Sequence, residues 1–247
     1  LLLHGAGAST HSWRGLLDVL GGEVDAIAVD LPGHGFSTPL PAARSDSLGF
    51  ATALGALLER LGLEPVLLVG HSAGAAVAVR YVLDVAPAAV SVLAINGALV
   101  ALGGFAGRWF APAARMVAER GPLVRLIVHQ ARRPGAVARL LESTGSRFTE
   151  ADIALYRRLL LREAHVWGVM RMMANWDLPL LEPRLSEVAS PVHLLDGEAD
   201  RTLRESYRRR VRERLAAAGV LASDVGLEKL GHLAHEEAPE RVATEIR

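Results

Sequence analysis

Short apolar runs alternate with helical stretches along the first hundred residues of the chain. The runs Val24–Asp30, Pro65–Val69 and Ser91–Ile95 have the length and composition of buried strands. Helical periodicity over Ser47–Leu61 ends at a glycine, and a run of small residues over Ala73–Val85 predicts a second helix. Strands that alternate with helices are typical of a parallel sheet covered on both faces. We therefore predict an α/β fold.

The strand pattern is interrupted by a long helical block and then resumes. Strands are predicted again at Pro191–Leu195 and Val225–Lys229, on either side of an Arg-rich helix at Leu203–Ala218. Within the block, helical pieces are predicted at Gly107–Arg120, Leu123–Arg132, Ala136–Leu141, Glu150–Arg162 and His165–Asn175. We predict the first part of an α/β core at residues 1–97, a helical cap at 98–187 and the second part of the core at 188–247.

The composition is that of a folded protein without a strongly charged target. Of the 247 residues, 51% are hydrophobic and 22% are charged, so the chain can bury a sizeable core. The 27 basic and 27 acidic residues cancel, which argues against nucleic acid or an anionic membrane as a partner. The absence of cysteine excludes disulfides, thiolate metal sites and a cysteine nucleophile. No apolar run approaches the roughly 18 to 20 residues that a membrane-spanning helix needs.

The chain opens inside an apolar run, Leu1-Leu2-Leu3, and does not begin with methionine. Its last residues, Arg241–Arg247, have the pattern of an unfinished helix. We therefore expect the sequence to be a fragment that lacks at least one N-terminal strand of the sheet.

The strongest chemical signal is Gly70-His71-Ser72-Ala73-Gly74, a G-x-S-x-G sequence between a predicted strand and a predicted helix. A sharp strand-to-helix turn exposes the oxygen of a nucleophilic serine, and the flanking glycines avoid clashes across the turn. The N-terminus of the following helix favours negative charge that develops there. We predict that Ser72 is a catalytic nucleophile.

A serine nucleophile needs a base, and the base needs an orienting acid. His232 directly follows a glycine after the last predicted strand, and we predict it as the base, with His235 as the competitor. After the preceding strand Asp200 is the preferred acid, with Glu198 and Asp196 as alternatives. The order of serine, acid and histidine along the chain is the one that this motif class requires.

An oxyanion hole needs two backbone N–H groups that point at the developing negative oxygen. We predict one from Ala73, directly after the nucleophile. The other is predicted from Ala6 in the loop His4-Gly5-Ala6-Gly7, although an ordinary turn after a strand would have the same sequence.

Several segments together resemble the α/β-hydrolase superfamily. They are His4-Gly5, Asp30-Leu31-Pro32-Gly33-His34-Gly35-Phe36-Ser37, the Ser72 turn, Gly197-Glu198-Ala199-Asp200 and Gly231-His232. The resemblance covers nearly the whole chain except the helical block, and it implies a mostly parallel sheet with that block as its cap. It also implies a structural role for His34. Serine at position 72 disfavours the members of the superfamily that use an aspartate nucleophile.

A narrower set of segments resembles the BchO family of magnesium-chelatase accessory proteins in bacteriochlorophyll biosynthesis. They are Leu3–Arg14, Gly70–Ala76, Ile95–Leu99, Thr144–Ser146, Met172–Leu178 and Gly231–Glu237. The segments in the helical block distinguish this family from other hydrolases, since many hydrolases share the core motifs. The family implies a cytoplasmic role around magnesium insertion into protoporphyrin IX, with magnesium-chelatase subunits as partners, but it supplies no settled reaction.

Two features of the sequence bear on that implication. The chain has one lysine, Lys229, and no phosphate-binding loop before it, so it is not a P-loop ATPase subunit. The segment 98–190 carries thirteen Arg against eight Asp and Glu, together with Trp109, Phe110 and Trp167, which suits an anionic tetrapyrrole as substrate. Most of these side chains could equally be solvated or pack the cap onto the core.

We also predict substrate contacts for His71, Asn96 and Trp176. The last lies in Asn175-Trp176-Asp177, which could equally form an Asp-capped turn. No cofactor and no metal site are expected, because the nearest metal-like spacing, His232-x-x-His235, is better explained by the proposed base.

The favoured function is hydrolysis of an ester or another acyl-type bond by a serine hydrolase. The alternatives are a non-catalytic tetrapyrrole-binding or chelatase-assembly protein on a hydrolase scaffold, and a general carboxylesterase unrelated to pigment synthesis. The complete set of catalytic residue types favours an enzyme.

Overall fold

The computed structural model describes residues 1–86, 90–101 and 112–247, and a six-stranded sheet forms its centre. The strands are β1 (Leu2–Leu3), β2 (Ala28–Val29), β3 (Leu67–His71), β4 (Ser91–Ile95), β5 (Val192–Gly197) and β6 (Leu221–Leu227). They lie in the order β2-β1-β3-β4-β5-β6, and each neighbouring pair is parallel. The predicted α/β fold with a parallel central sheet is confirmed.

Alternate residues of the central strands pack into two apolar cores, one on each face of the sheet. Leu68 and Leu194 belong to the larger core, whereas their neighbours Val69 and Leu195 belong to the smaller one. Successive side chains of a strand point to opposite faces, so both faces are covered. Strands buried in this way need apolar residues at nearly every position, which explains the continuous apolar runs in the sequence.

Helices cover both faces of the sheet. The α-helices are α1 (Arg14–Leu20), α2 (Ser47–Leu61), α3 (Ala73–Asp84), α4 (Gly121–Ala131), α5 (Ala136–Glu142), α6 (Glu150–Leu160), α7 (Glu163–Ala174), α8 (Leu178–Leu181), α9 (Glu205–Ala217), α10 (Ala234–Glu237) and α11 (Pro239–Thr244). Shorter 3-10 segments lie at Thr10–Trp13, Ala42–Arg44 and Glu182–Glu187, and residues 112–118 are also helical. Helices α2, α3 and α9 contribute to the larger core, while α1 and α11 contribute to the smaller one.

In the described residues between β4 and β5, all regular structure is helical. The four predicted pieces that begin at Leu123 and end at Asn175 correspond to α4, α5, α6 and α7. Residues 107–111 of the predicted piece Gly107–Arg120 lie outside the described residues, as do Trp109 and Phe110 within it. The division of the chain into core and cap stays a prediction. No helix in the described part of the chain is long and apolar enough to cross a membrane.

Four of the five predicted strands have bounds that differ from the prediction. Strand β3 begins and ends two residues later than predicted, and β5 begins one residue and ends two residues later. The predicted strand Val24–Asp30 pairs only over β2, and the predicted strand Val225–Lys229 is replaced by β6, which begins four residues earlier. Strand β6 lies at the edge of the sheet, where exposed residues such as Asp224 alternate with half-buried ones. Such a strand lacks a continuous apolar run. Lys229 has a φ of 67° and belongs to the turn that follows.

The chain reverses its direction across the sheet between β1 and β3. Strand β2 lies on one side of β1, whereas β3 and all later strands lie on the other side. The loops that follow β1 and β3 therefore leave in opposite directions and open a crevice at the carboxyl ends of these strands, where ligands bind in open α/β sheets. Residues 4–8, which we call the β1 loop, follow β1, and Ser72 follows β3.

Candidate active site

Ser72 lies in a strained turn between β3 and α3. Its backbone has a φ of 50° and a ψ of −114°, a region that non-glycine residues rarely adopt. A Cβ on Gly74 would lie 2.1 Å from the carbonyl oxygen of Leu3, so only glycine allows α3 to approach β1 this closely. The turn holds Ser72, half-buried, at the carboxyl end of the central strands.

His232 reaches Ser72 from the loop after β6. Its Nε2 lies 3.0 Å from Oγ of Ser72, and its Nδ1 lies 2.8 Å from Oδ2 of Asp200. When Nδ1 donates its proton to the carboxylate, Nε2 is the nitrogen that accepts from the serine hydroxyl. The competitor His235 is fully buried, and its Nε2 is hydrogen-bonded to Oγ of Ser12 over 2.7 Å.

The carboxylate of Asp200 accepts four hydrogen bonds. Its Oδ1 accepts from the backbone N–H groups of Thr202 over 2.6 Å and Leu203 over 3.0 Å. Its Oδ2 accepts from His232 and from the side-chain amide of Asn96, the latter over 2.9 Å. A carboxylate has acceptor sites for all four donors, so the hydrogen-bonding capacity of this buried group is satisfied.

Neither alternative acid hydrogen-bonds to His232 in the part of the chain that the structure describes. Asp196 is buried near the end of β5, and its burial raises the pKa of the carboxyl group to about 7. The carboxylate of Glu198 lies beside the backbone of Gly226.

Asn96 hydrogen-bonds to the carboxylate of Asp200. It follows β4 with a φ of 45°, a left-handed conformation that asparagine tolerates better than most residues. Its side chain donates to Oδ2 of Asp200 and accepts from the N–H of Gly197 over 3.2 Å. The predicted substrate contact is therefore not what the geometry supports, because both ends of the fully buried amide are already bonded.

A turn at residues 144–146 bonds to the loops of both the acid and the base. The carbonyl oxygen of Thr144 accepts from the N–H of Arg201 over 3.0 Å and of His232 over 3.4 Å. The hydroxyl of Ser146 accepts from the N–H of Leu233 over 2.8 Å. Gly145 has a φ of 89°, and a Cβ there would lie 2.3 Å from the carbonyl oxygen of Ala199. The 144–146 turn thus holds the loop of Asp200 and the loop of His232 at once.

Glu237 also links the loop of His232 to the segment that follows the 144–146 turn. One carboxylate oxygen accepts from the N–H of Gly231 over 2.7 Å, and the other accepts from the N–H of Arg147 over 3.0 Å. Sequence reasoning missed this role and that of Ser146, since the partners are far apart along the chain. The only sequence signal was the family resemblance of the segments that contain them.

The two predicted oxyanion donors flank Ser72. Ala6 lines the same pocket as Ser72, and Ala73 is the first residue of α3, whose N–H has no acceptor within its own helix. Among the described residues, neither N–H has a backbone acceptor elsewhere. The oxyanion role of Ala6 and Ala73 stays a prediction.

A pocket of about 310 Å³ opens above Ser72, at the lower end of the range of about 300 to 1,000 Å³ for small-molecule sites. Its described lining is Ala6, Gly7, Ala8, His71, Ser72, Ile127, Leu140, Leu141, Tyr156, Leu160, Val166, Val169, Met170, Met173, His232 and Leu233. Among these residues there is no Arg, Lys, Asp or Glu, so the arginines predicted to meet an anionic substrate are not found in the described lining.

The other predicted substrate contacts differ in position. His71 lines the pocket, and its Nε2 donates to the carbonyl oxygen of His232 over 2.9 Å. Trp176 lies outside the described lining, since it packs edge to face on Phe50 with ring centres 6.1 Å apart. Trp176 lines a separate surface pocket with Arg115 and Asn175, so its substrate contact stays a prediction. His34 is fully buried, between His4 and His165.

Burial favours the neutral form of the imidazoles of His71 and His4. Burial holds the pKa of His71 well below its ordinary range, and the neighbouring His235 and His232 lower it further. Burial lowers the pKa of His4 to about 3, and the ring accepts from the N–H of Leu31 over 3.0 Å. These histidines therefore act as hydrogen-bonding spacers between loops.

The chain resembles known proteins in sequence. A family model described as the alpha/beta hydrolase family matches residues 1–245. The "Magnesium-chelatase 30 kDa subunit" of Rhodobacter capsulatus is 35% identical over 238 residues, which is 96% of this chain and 81% of that protein. Both resemblances predicted from the sequence are confirmed by these matches.

Solved structures resemble the chain in fold. An esterase from Exiguobacterium antarcticum superposes with a TM-score of 0.74 at 18% identity, over 99% of this chain and 88% of the esterase. A thermophilic esterase from Thermogutta terrifontis superposes with a TM-score of 0.72 at 21% identity, over 100% of this chain and 86% of that esterase. At such identities the likeness concerns the fold alone.

Proposed function

The chain belongs to the alpha/beta hydrolase family, and on that premise we propose that it hydrolyses an ester or another acyl-type bond with Ser72 as nucleophile. The observation that carries the proposal is the hydrogen-bonded series from Ser72 through His232 to Asp200, with distances of 3.0 and 2.8 Å. This series ends in an apolar pocket, where an acyl group can bind.

In the first half-reaction, Oγ of Ser72 attacks the carbonyl carbon while Nε2 of His232 takes its proton. Asp200 stabilises the imidazolium that forms, because its Oδ2 already accepts from Nδ1. The negative oxygen of the tetrahedral intermediate accepts from the N–H groups of Ala6 and Ala73. His232 then gives its proton to the leaving group, and an acyl-serine remains.

In the second half-reaction, water attacks the acyl-serine and His232 acts as base again. The tetrahedral intermediate uses the same two N–H donors. Its collapse returns the proton from His232 to Oγ of Ser72 and releases the carboxylic acid.

The acyl group that this pocket accepts is uncharged and apolar. Leucine, isoleucine, valine and methionine side chains supply most of the described lining. An ionised carboxylate placed among them would lose its hydration without gaining a partner, which is unfavourable by several kcal/mol. The described lining therefore favours a small apolar ester or thioester over an anionic acid.

The accessory role is a separate part of the proposal. We infer from the 35% identity with the magnesium-chelatase subunit that the chain assists magnesium insertion into a tetrapyrrole, with chelatase subunits as partners. Deletion of the gene in a phototroph should then lead to an accumulated pigment precursor. Unchanged pigment would remove this role and leave the hydrolase proposal standing.

The alternative is a non-catalytic tetrapyrrole carrier on the same scaffold, and the same sequence similarity favours it. Absorbance titration with protoporphyrin IX separates the two. Binding by a protein that does not hydrolyse esters would favour the carrier, whereas ester hydrolysis without a shift in absorbance favours the enzyme, with a general carboxylesterase as its simplest form.

The direct test is hydrolysis of p-nitrophenyl butyrate compared with the p-nitrophenyl monoester of succinate, which has an acyl group of similar length and a negative charge. We expect kcat/KM to be at least about 10-fold higher for butyrate, because the charge is poorly solvated in the pocket. Ser72→Ala should lower kcat by a factor on the order of 10⁶. Equal rates in Ser72→Ala and the unaltered protein would refute the mechanism.

A further inference from the structure

His165, on α7, makes two hydrogen bonds that tie the helical block to two loops of the core, at Gly7 and at Gly35. Its Nε2 lies 3.2 Å from the carbonyl oxygen of Gly7, and the N–H of Gly35 donates to its Nδ1 over 3.1 Å. Because Nδ1 accepts, the neutral ring carries its proton on Nε2 and donates it to Gly7. The residue is 1% exposed, and both ring nitrogens are satisfied.

The face of α7 that carries His165 packs directly on the turn at residues 33–36. Arg162, which directly precedes α7, and His165 and Gly168 within it are spaced by three residues, so they lie on the same side of the helix. A Cβ on Gly168 would lie 2.0 Å from the carbonyl oxygen of Gly33. The guanidinium carbon of Arg162 lies 4.2 Å from the centre of the Phe36 ring. This close packing fixes where His165 stands relative to the core.

The neighbouring face of the same helix lines the catalytic pocket. Val166, Val169, Met170 and Met173 supply four of the pocket's apolar side chains. Helix α7 therefore lines the pocket on one side and packs on the core loops on the other. A displacement of the helix would change the pocket and the hydrogen bond to Gly7 together.

Gly7 is the residue after Ala6, whose N–H is a proposed oxyanion donor. Its backbone has a φ of 83°, which leaves this part of the β1 loop dependent on outside contacts for its orientation. The bond from His165 fixes the carbonyl one residue beyond the donor. Catalytic geometry must be held within about 0.5 Å, and a misplacement of about 1 Å can lower the rate about 100-fold.

We propose that His165 is a positioning residue that couples the packing of helix α7 to the geometry of the oxyanion hole. The inference rests on the proposed hydrolysis by Ser72. His165 lies outside the described pocket lining and acts through Gly7, so its loss affects the transition state more than substrate binding.

Two substitutions separate the two hydrogen bonds of His165. His165→Gln can keep a donor near the Nε2 position for Gly7, whereas His165→Asn can keep an acceptor near the Nδ1 position for Gly35. We expect His165→Asn to lower kcat for p-nitrophenyl butyrate about 10- to 100-fold with KM changed less than about 3-fold, and His165→Gln to stay within about 3-fold of the unaltered protein. The matched control is His193→Asn, a histidine on β5 bonded to Ser223.

Equal losses in both His165 variants, or no loss in His165→Asn, would overturn the proposal. Nitrogen-15 shifts of His165 in the unaltered protein provide a second measurement that does not depend on the folding of a variant. We expect a neutral ring protonated on Nε2, whose shift moves when a phosphonate adduct on Ser72 fills the oxyanion hole. A shift that is the same with and without the adduct would overturn the proposal too.

A failure of the role of His165 can be distinguished from a failure of the proposed function. If the unaltered protein forms the adduct and hydrolyses the ester, and His165→Asn has the same kcat as the unaltered protein, only the role of His165 is wrong. If the folded protein neither reacts with the phosphonate nor hydrolyses the ester, the proposed function fails and the role of His165 fails with it.

Discussion

The side-chain amide of Asn96 donates to Oδ2 of Asp200 over 2.9 Å, the same oxygen that accepts from Nδ1 of His232. The two residues follow neighbouring strands, β4 and β5, at the carboxyl edge of the sheet. Asn96 thus fixes the direction of the carboxylate, while the oxygen of its amide holds the N–H of Gly197. A residue that the sequence suggested as a substrate contact instead orients the acid.

Asn96→Ala tests this relationship. The substitution removes one donor from Asp200 and leaves the buried N–H of Gly197 without an acceptor, and it places alanine at a positive φ. We expect kcat to fall about 10-fold or more with KM nearly unchanged, and the free energy of unfolding to fall by about 1–3 kcal/mol. A rise in KM at constant kcat would instead indicate a substrate contact. Asn175→Ala, which removes a bond to Arg171 on α7, is the matched control.

Ser146→Ala tests the junction between the helical block and the catalytic loops. The buried N–H of Leu233 loses its acceptor, so the free energy of unfolding measured with urea should fall by about 1–3 kcal/mol. We also expect a lower kcat, since the loop that carries His232 is less firmly held. Ser143→Ala, an exposed serine in the same segment, should change the free energy of unfolding by less than about 0.5 kcal/mol. Equal effects of both substitutions would contradict the role of the 144–146 turn.

The local parts of the site were predictable, because each depends on residues that are close in the sequence. The G-x-S-x-G turn requires a strand, a tight turn and a helix in succession, and this order is visible in the apolar pattern around Ser72. The strand Ser91–Ile95 and the helix Ser47–Leu61 were predicted with the bounds that the structure has. Buried strands and glycine-terminated helices carry strong local signals.

The contacts that hold the site together were not predictable from local patterns. Asn96 and Asp200 are 104 residues apart, and Ser146 and Leu233 are 87 apart. Such pairs meet only after the sheet has formed and the helical block has packed on it, and no periodicity marks them. Trp176 illustrates the same limit, because its packing on Phe50 depends on where α7 ends.

Buried histidines determine how the stability depends on pH. Burial lowers the pKa of His4 to about 3, of His11 to about 4 and of His235 to about 3, from an ordinary value of 6.5. In the unfolded chain these groups take up protons below about pH 6.5, so the unfolded state binds more protons as the pH falls. The free energy of unfolding then decreases by up to about 1.4 kcal/mol per pH unit for each histidine.

Two buried acids act in the opposite direction at higher pH. Burial raises the pKa of Glu236 to about 8 and of Asp196 to about 7, so the folded state holds protons that the unfolded state has lost. Their contribution decreases as the pH rises. Urea unfolding should therefore give the highest free energy near pH 6.5 and a steep decrease below about pH 5. A constant value between pH 6 and pH 4 would contradict this account.

Covalent labelling of Ser72 with a fluorophosphonate, followed by mass spectrometry of the intact protein and its peptides, tests the central claim most directly. We predict one adduct, located on Ser72. It should be absent in Ser72→Ala, form much more slowly in His232→Ala and form at an unchanged rate in His235→Gln. A folded protein that remains unlabelled, or that is labelled at another residue, would contradict the proposal that Ser72, His232 and Asp200 act together as a catalytic triad.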